Sequence, residues 1–380
     1  GVSMKIGVPR ETVPGERRVA LVPAHVPSLT KAGLDVVVEA GAGQPSGYPD
    51  GAYAERGAEI VDDARATADV LLTVRSAAAA GENEPGPGRD DQTIIGFLEP
   101  YAAHPAFDRL LERKATAFSM ELIPRITRAQ SMDALSSMAN LAGYRSAILA
   151  AEALPKMFPM MMTAAGTIVP AKAFVVGVGV AGLQAIATTR RLGAVVSAYD
   201  VRPAVKEQVE SLGATFVEME LETAEGSGGY AREMDEEFYR KQRELMGDVL
   251  AESDVVITTA AIPGKPSPVL VTEEMVKRMQ PGSVIVDLAT ERGGNCELSE
   301  TGKTVVKHGV TIVGPVNIPS ALASNASQLY SKNITTFLLA MIKDGELLVD
   351  TNDEIVAATL VTRGGEIPNA DIRERLGGRS

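Results

Sequence analysis

The chain of 380 residues contains no tryptophan, one cysteine, three histidines and fewer basic than acidic residues. The single cysteine, Cys296, excludes an internal disulfide and fits a reducing compartment. With 37 basic and 49 acidic residues, the net charge of −12 argues against nucleic acid as a partner. The histidines lack metal-ligand spacing and the cysteine has no cysteine partner, so we predict no metal site.

Long hydrophobic runs are also missing. The most apolar stretch, residues 141–176, is interrupted by charged residues and by three prolines. Because a membrane-spanning helix needs about 20 nearly uninterrupted apolar residues, we expect no direct membrane span. The composition, 45% hydrophobic and 23% charged, is typical of a globular protein, and the length favours two domains.

Strand and helix signals alternate over the first 120 residues and again from residue 173 onward. This alternation predicts an α/β protein with parallel sheets. A helical stretch over 131–153 is expected to bridge two domains, and a helix from residue 326 to about 343 is expected to return to the first. We therefore predict a discontinuous first domain, 4–135 plus 325–380, and a second domain, 136–324.

The most informative motif is the glycine-rich segment 175–182, which follows a buried strand and opens an amphipathic helix. Gly177 allows a tight turn, Gly179 lets the backbone approach a pyrophosphate, and Gly182 lets the helix pack on the strand. The helix N-terminus favours the phosphates. The next strand ends at Asp200, 18 residues past Gly182.

Asp200 is suited to accept hydrogen bonds from both hydroxyls of the adenosine ribose and to repel a 2′-phosphate. NAD(H) is therefore favoured over NADP(H), although the neighbouring Arg202 is a residue type that can serve a 2′-phosphate. The predicted cofactor contacts in this region are Gly177, Gly179, Val180, Gly182, Asp200, Val201 and Arg202.

Residues 218–237 hold eight acidic residues and one basic residue around a glycine-rich centre. One interpretation is a solvated surface loop. The other is a mobile lid over the cofactor, with Tyr230 as its apolar contact.

Groups for proton transfer are scarce. Oxidation of an alcohol or amine needs a positioned acid or base, commonly histidine or lysine. Transfer between two nicotinamides moves a hydride alone and requires only positioning and a dry site. The three histidines, His25, His104 and His308, are interpreted as surface or structural residues, which is compatible with the second reaction.

Four further blocks resemble one family over residues 4 to about 363. They read MELIPRITRAQSMD (120–133), FPMMMTAAGT (158–167), IPGKP (262–266) and DLATERGGN (287–295). Together with the glycine motif they are similar to the NAD(H)-binding component of proton-translocating nicotinamide nucleotide transhydrogenase, in the alanine dehydrogenase/transhydrogenase family.

The resemblance implies two Rossmann-like, doubly wound domains joined by long helices, and a homodimer. It implies Si/Re-specific hydride transfer from NADH to NADP⁺ held on a partner subunit, coupled to proton movement by a membrane subunit. The chain would then be cytoplasmic and peripheral at the inner membrane. Arg125, Gln130 and Asp133 match the loop that holds the nicotinamide and its ribose, and Ser136 matches a weaker nucleotide contact. The acidic segment with Tyr230 matches the family's mobile loop.

The related alanine dehydrogenases are the alternative, as NAD-dependent amino-acid oxidoreductases. Their catalytic lysine would fall near Thr73 and their histidine within 97–100, where neither residue type occurs; their aspartate falls at Glu291. These departures argue against amino-acid oxidation. Arg18, however, matches a substrate-binding arginine of that family.

Overall fold

The computed structural model describes residues 2–75, 86–101, 105–219, 234–262 and 264–376. The strands are β1 (Lys5–Val8), β2 (Asp35–Glu39), β3 (Glu59–Val61), β4 (Val70–Leu72), β5 (Thr93–Gly96), β6 (Thr116–Ser119), β7 (Met161–Thr163), β8 (Gly166–Ile168), β9 (Lys172–Val176), β10 (Val195–Tyr199), β11 (Thr215–Phe216), β12 (Val255–Thr258), β13 (Val284–Asp287), β14 (Thr304–Lys307), β15 (Val310–Val313), β16 (Ile342–Lys343), β17 (Glu346–Leu347) and β18 (Leu360–Thr362).

The helices are α1 (Val26–Lys31), α2 (Asp50–Glu55), α3 (Ala64–Thr67), α4 (Pro105–Glu112), α5 (Ala134–Ala153), α6 (Val180–Arg191), α7 (Lys206–Ser211), α8 (Glu236–Glu252), α9 (Glu273–Lys277), α10 (Ile318–Ala321), α11 (Ala323–Ala340), α12 (Glu354–Thr359) and α13 (Ala370–Arg375). The chain divides into two compact units, one of residues 1–138 with 319–380 and one of residues 139–318. The predicted boundaries at 135 and 324 fall within α5 and α11.

The first unit contains a seven-stranded sheet of order β18-β6-β5-β4-β1-β2-β3. Its pairs are parallel except for β18, which runs antiparallel to β6. Strands β4 and β5 are buried along their whole length, as expected where helices cover both faces of a parallel sheet. One face packs Ile94 against Phe107 and Leu110 of α4.

The second unit contains a seven-stranded sheet of order β11-β10-β9-β12-β13-β15-β14. Alternate residues of β12 enter separate apolar clusters, Val255 and Ile257 on one face and Val256 on the other. The chain runs outward from β9 to β11 and then restarts at β12, so the strand order reverses between β9 and β12. In such sheets, ligands bind outside the carboxyl ends of the strands at this reversal.

The predicted α/β class with two parallel-sheet domains is confirmed, with one difference at each sheet edge. Strands β14 and β18 are antiparallel to their neighbours. A second difference is a long helix after the acidic segment, α8, which was not predicted from the sequence. Its side chains Phe238, Met246 and Leu250 are buried, and they recur at the spacing of a helical face.

Strands β7 and β8 form a separate two-stranded antiparallel sheet. Residues 160–169, which include both strands and their connecting turn, are all exposed. The hairpin begins after Phe158 and ends before Ala171, and both of these residues are buried in a core cluster of the second unit. In the sequence this projecting element was visible only as part of a family motif.

Candidate functional site

The glycine turn between β9 and α6 lies at the strand-order reversal of the second unit. Gly177 has a φ of +94°, a conformation that other residues adopt only with strain. A Cβ atom added there would lie 2.7 Å from Thr259 Oγ1, which itself donates a 2.7 Å hydrogen bond to the Gly177 carbonyl. The turn is therefore held against the end of β12 and tolerates no side chain at this position.

The other two glycines of the motif differ sharply in their surroundings. A Cβ atom at Gly182 would lie 1.9 Å from the Gly177 carbonyl oxygen, whereas one at Gly179 would meet nothing within 4 Å. Gly179 begins α6 without a side-chain hydrogen bond, and Val180 is its first helical residue. The first N–H groups of a helix have no intrahelical acceptor and favour an anion. The open space at Gly179 thus lies beside donors suited to a phosphate.

A further close contact supports the turn and was missed in the sequence. A Cβ atom added at Gly143 of α5 would lie 2.2 Å from the Ala181 carbonyl oxygen of α6. Gly143 is buried, and only a residue without a side chain allows the two helices to approach this closely. A glycine inside an otherwise good helical pattern was the available signal.

Asp200 follows β10 directly and ties the glycine turn to this strand. One of its carboxylate oxygens accepts a 2.7 Å hydrogen bond from the Val178 N–H, and the same oxygen accepts one of 2.9 Å from Arg202 Nη2. The second oxygen accepts hydrogen bonds of 2.9 Å from the Arg202 N–H and Nε. Asp200 and Arg202 are each 7% exposed, and the intervening Val201 packs against a core cluster.

This pairing bears on the cofactor that the site can take. Arg202 gives its fork to Asp200 within the same loop, so the guanidinium is already engaged by a carboxylate. The open glycine turn, the helix N-terminus and an acid at the end of the second strand are the features that a dinucleotide with unphosphorylated adenosine ribose requires. The residues present therefore fit NAD(H).

The loops after β12 and β13 are held together by a buried carboxylate that sequence reasoning did not single out. Asp287, with 0% exposure, accepts hydrogen bonds from five groups. They are Thr258 Oγ1, the N–H groups of Ala289, Asn295 and Cys296, and Ser299 Oγ.

Asn295 extends this arrangement, because its side-chain amide donates to the carbonyls of Ala260 and Pro268. The segment from 260 to 268, which borders the strand-order reversal, is thereby fixed at both ends. The DLATERGGN block contained both Asp287 and Asn295, so the signal was present in the sequence.

The segment carrying Arg125, Gln130 and Asp133 belongs to the first unit. Residues Thr127–Met132 form a 3₁₀ helix, and Asp133 stands immediately before α5. Asp133 accepts hydrogen bonds from the Ser136 N–H at 3.0 Å and the Ser136 hydroxyl at 2.6 Å. Two of the predicted site residues thus bond each other and begin α5 in the manner of an N-cap. Arg125 and Gln130 are exposed.

The positions that would serve an amino-acid dehydrogenase are engaged within the protein. Arg18 pairs with Glu16 at 2.6 Å, and both residues are buried. Burial alone raises the pKa of Glu16, but hydrogen bonds and charge from Arg18, with the Ser320 hydroxyl, outweigh it and bring the pKa to about 2. Thr73 is fully buried and its hydroxyl donates to the Ile95 carbonyl.

Tyr230 lies outside the described residues, as does most of the acidic segment around it. In the part of the chain that the structure describes, no helix combines the length and apolar character needed to cross a membrane. Among these same residues, no group of three or more His, Cys, Asp and Glu side chains is placed to hold a metal ion.

Comparison with known proteins adds the family. The alanine dehydrogenase/PNT N-terminal domain matches residues 7–142, and the C-terminal domain of the same family matches residues 146–370. An NAD(P) transhydrogenase subunit alpha of Rhodospirillum rubrum is 52% identical over 374 residues, which cover 96% of this chain and 97% of the relative.

A solved transhydrogenase structure from Sinorhizobium meliloti superposes with a TM-score of 0.86 at 49% identity, covering 96% of this chain and 99% of that one. Alanine dehydrogenase 2 of Staphylococcus aureus is 30% identical over 379 residues, which cover 98% of this chain and 96% of the relative. The chain belongs to the alanine dehydrogenase/PNT family and, within it, to the NAD(P) transhydrogenase alpha subunits.

Proposed function

We propose that this protein is the NAD(H)-binding component of a proton-translocating transhydrogenase, which passes a hydride from NADH to NADP⁺ on a partner subunit. The observation that carries the proposal is the glycine turn at Gly177–Gly182. It combines an enforced positive φ, a close helix–strand contact and an open position beside the helix N-terminus. The transhydrogenase subunit from Rhodospirillum rubrum, similar over nearly the whole chain, supports the choice of reaction.

NAD(H) is the nucleotide proposed for this chain, and NADP(H) is assigned to the partner. Asp200 is buried at the end of β10, where a 2′-phosphate would meet its negative charge. The contacts proposed for NAD(H) are Gly177, Gly179, Val180, Gly182, Asp200, Val201 and Arg202, with Ser136 and Tyr230 added through the family resemblance.

Arg125, Gln130 and Asp133 are proposed to orient the nicotinamide end of the nucleotide. The nicotinamide supplies the hydride, and the acceptor carbon must lie about 3–3.5 Å from the donor carbon, so the ring has to be fixed against rotation. Gln130 is exposed and offers both a donor and an acceptor to a ribose hydroxyl. Asp133 positions the start of α5 through Ser136.

Amino-acid oxidation is the less favoured alternative. Thr73 offers no amine and its hydroxyl is bonded to the Ile95 carbonyl, so it supplies no general base. Glu16 neutralises Arg18, the residue that matched a substrate-binding arginine. Hydride exchange between two nicotinamides needs neither group.

The proposed assembly is a homodimer that docks with an NADP(H)-binding subunit and a membrane subunit, which couples Si/Re-specific transfer to proton translocation. Membrane association at the cytoplasmic face would then occur through the partner subunits.

Reconstitution tests the proposal directly. The protein is mixed with an NADP(H)-binding subunit, and hydride transfer from NADH to an NADP⁺ analogue with shifted absorbance is followed. Each component alone is the control. Transfer in the mixture only is expected. Bound NADH without transfer in the mixture, together with alanine-dependent reduction of NAD⁺ by the isolated protein, would instead support the dehydrogenase.

A further inference from the structure

The β7–β8 hairpin is anchored at its base and exposed everywhere else. At the base, the Ala171 N–H donates a 3.0 Å hydrogen bond to the Phe158 carbonyl, and these residues are 2% and 4% exposed. Met161 pairs with Ile168 and Thr163 with Gly166, and the two-residue turn is tied by a 3.1 Å hydrogen bond from the Ala165 N–H to Thr163 Oγ1. The hairpin is therefore an ordered projection.

Its side chains are apolar on both faces. Because side chains alternate along a strand, Met160, Met162 and Val169 share one face, and they are 59%, 75% and 75% exposed. Met161 and Ile168 lie on the opposite face at 40% and 41% exposure. No charged residue occurs between Lys156 and Lys172. Proteins usually protect open strand edges with charge or proline, and this hairpin has neither within its strands.

An uncovered hairpin of this kind is not stable by itself in water, since two strands without a third strand or a packed face are marginal. The outer edges of β7 and β8 carry backbone N–H and C=O groups that another strand would satisfy. Antiparallel pairing of two identical strands places them about a twofold axis, so a single sequence supplies both sides of the contact.

Charge favours a second copy as the occupant. The chain carries a net charge of −12, so two copies attract each other only through a surface from which charge has been removed. Homodimer interfaces are also the more apolar class of protein interface. We propose that the β7–β8 hairpin is a dimerisation arm that pairs and packs, through Met160, Met162 and Val169, with the same hairpin of a second copy of this chain. This inference rests on the homodimer in the proposed function.

A charge placed on the arm tests the inference. Met162→Asp should weaken the dimer about 100-fold or more in sedimentation equilibrium, as expected for a central interface residue. Val306→Asp is the matched control, because Val306 is a 67% exposed valine on β14, outside the hairpin. Thermal unfolding and NADH binding of the Met162→Asp variant should match those of the control.

Cross-linking gives an independent measurement. Met162→Cys should form an intermolecular disulfide under mild oxidation, whereas Val306→Cys should not. The native Cys296 does not interfere, because it is 2% exposed and burial raises the pKa of its thiol to about 11.

The outcomes separate the arm from the proposed function. A wild-type dimer that Met162→Asp dissociates, with the Met162→Cys disulfide formed, supports the arm. A dimer unaffected by Met162→Asp, or one whose Met162→Cys variant cross-links only to the NADP(H)-binding subunit, overturns it. A monomeric wild type also overturns it. Hydride transfer in the reconstituted mixture is scored separately, so a failed arm with normal transfer leaves the function standing.

Discussion

The glycine turn gives the sharpest prediction, because two neighbouring glycines should respond to alanine in opposite ways. Gly179→Ala adds a methyl group where nothing lies within 4 Å, and the residue has a φ of −84° that alanine adopts freely. The expected cost in unfolding free energy is about 1 kcal/mol or less, the typical penalty for alanine at an N-cap.

The same methyl group occupies the space proposed for the pyrophosphate. An added methyl in a close-packed contact costs about 1–3 kcal/mol, so NADH should bind about 5- to 150-fold more weakly to Gly179→Ala. Gly182→Ala instead drives a methyl group to within 1.9 Å of the Gly177 carbonyl oxygen. A loss of about 3 kcal/mol is expected, which lowers the melting temperature by about 6–12 °C for a domain of this size.

Titration calorimetry for NADH and scanning calorimetry for unfolding separate the two effects. Gly51→Ala is the control, because Gly51 lies in α2 with nothing within 4 Å of its added Cβ, and both readouts should stay near wild type. A Gly179→Ala variant that binds NADH as tightly as wild type would refute the phosphate assignment of the turn. A Gly182→Ala variant of unchanged stability would refute the packing argument.

Three other perturbations follow from the site. Gln130→Asn should slow hydride transfer by up to about 10²-fold with little change in NADH affinity, measured by stopped-flow reconstitution; lost binding with normal transfer contradicts this. Asp200→Asn should weaken NADH by about 1.5–3 kcal/mol in calorimetry, and unchanged affinity would remove it from the site. Glu16→Gln should reduce the unfolding free energy at pH 7 by about 3 kcal/mol, because its folded pKa of about 2 lies below the usual 4.5. The pair's stabilisation is present above pH 4.5 and is lost as the pH falls toward 2, so the difference from wild type in chemical unfolding should shrink over that window. A difference independent of pH, or one equal to that of the exposed control Glu237→Gln, would contradict the buried pair.

The elements of the fold that local chemistry determines were predicted from the sequence. The strand Val195–Tyr199 has its predicted bounds, and the helix after the glycine turn ends within one residue of expectation. Both depend on neighbouring residues, namely a β-branched run and a glycine beyond the helix. The α8 helix was missed, because the acidic, glycine-rich residues before it hid a helical pattern that begins only at Glu236.

Features that depend on distant partners could not be predicted from the sequence. The antiparallel strand β18 pairs with β6, more than 240 residues earlier, and the pairing has no local signature. The Asp200–Arg202 pair was likewise hidden, since two nearby polar residues were interpreted by what each could offer to a nucleotide. Asp287 lay inside a recognised motif, yet its five hydrogen-bond donors depend on how the following loop folds back.

The Asp287 loop makes the chain's single thiol a native reporter of local opening. The Cys296 N–H is bonded to the Asp287 carboxylate at 3.0 Å, and the cysteine is 2% exposed. A thiol reagent can therefore react only after this loop has come away from the sheet. At high reagent concentration, the labelling rate equals the rate at which the loop opens. A nucleotide that binds only the closed loop slows labelling in proportion to its occupancy, so unmodified protein reports site breathing and ligand protection together.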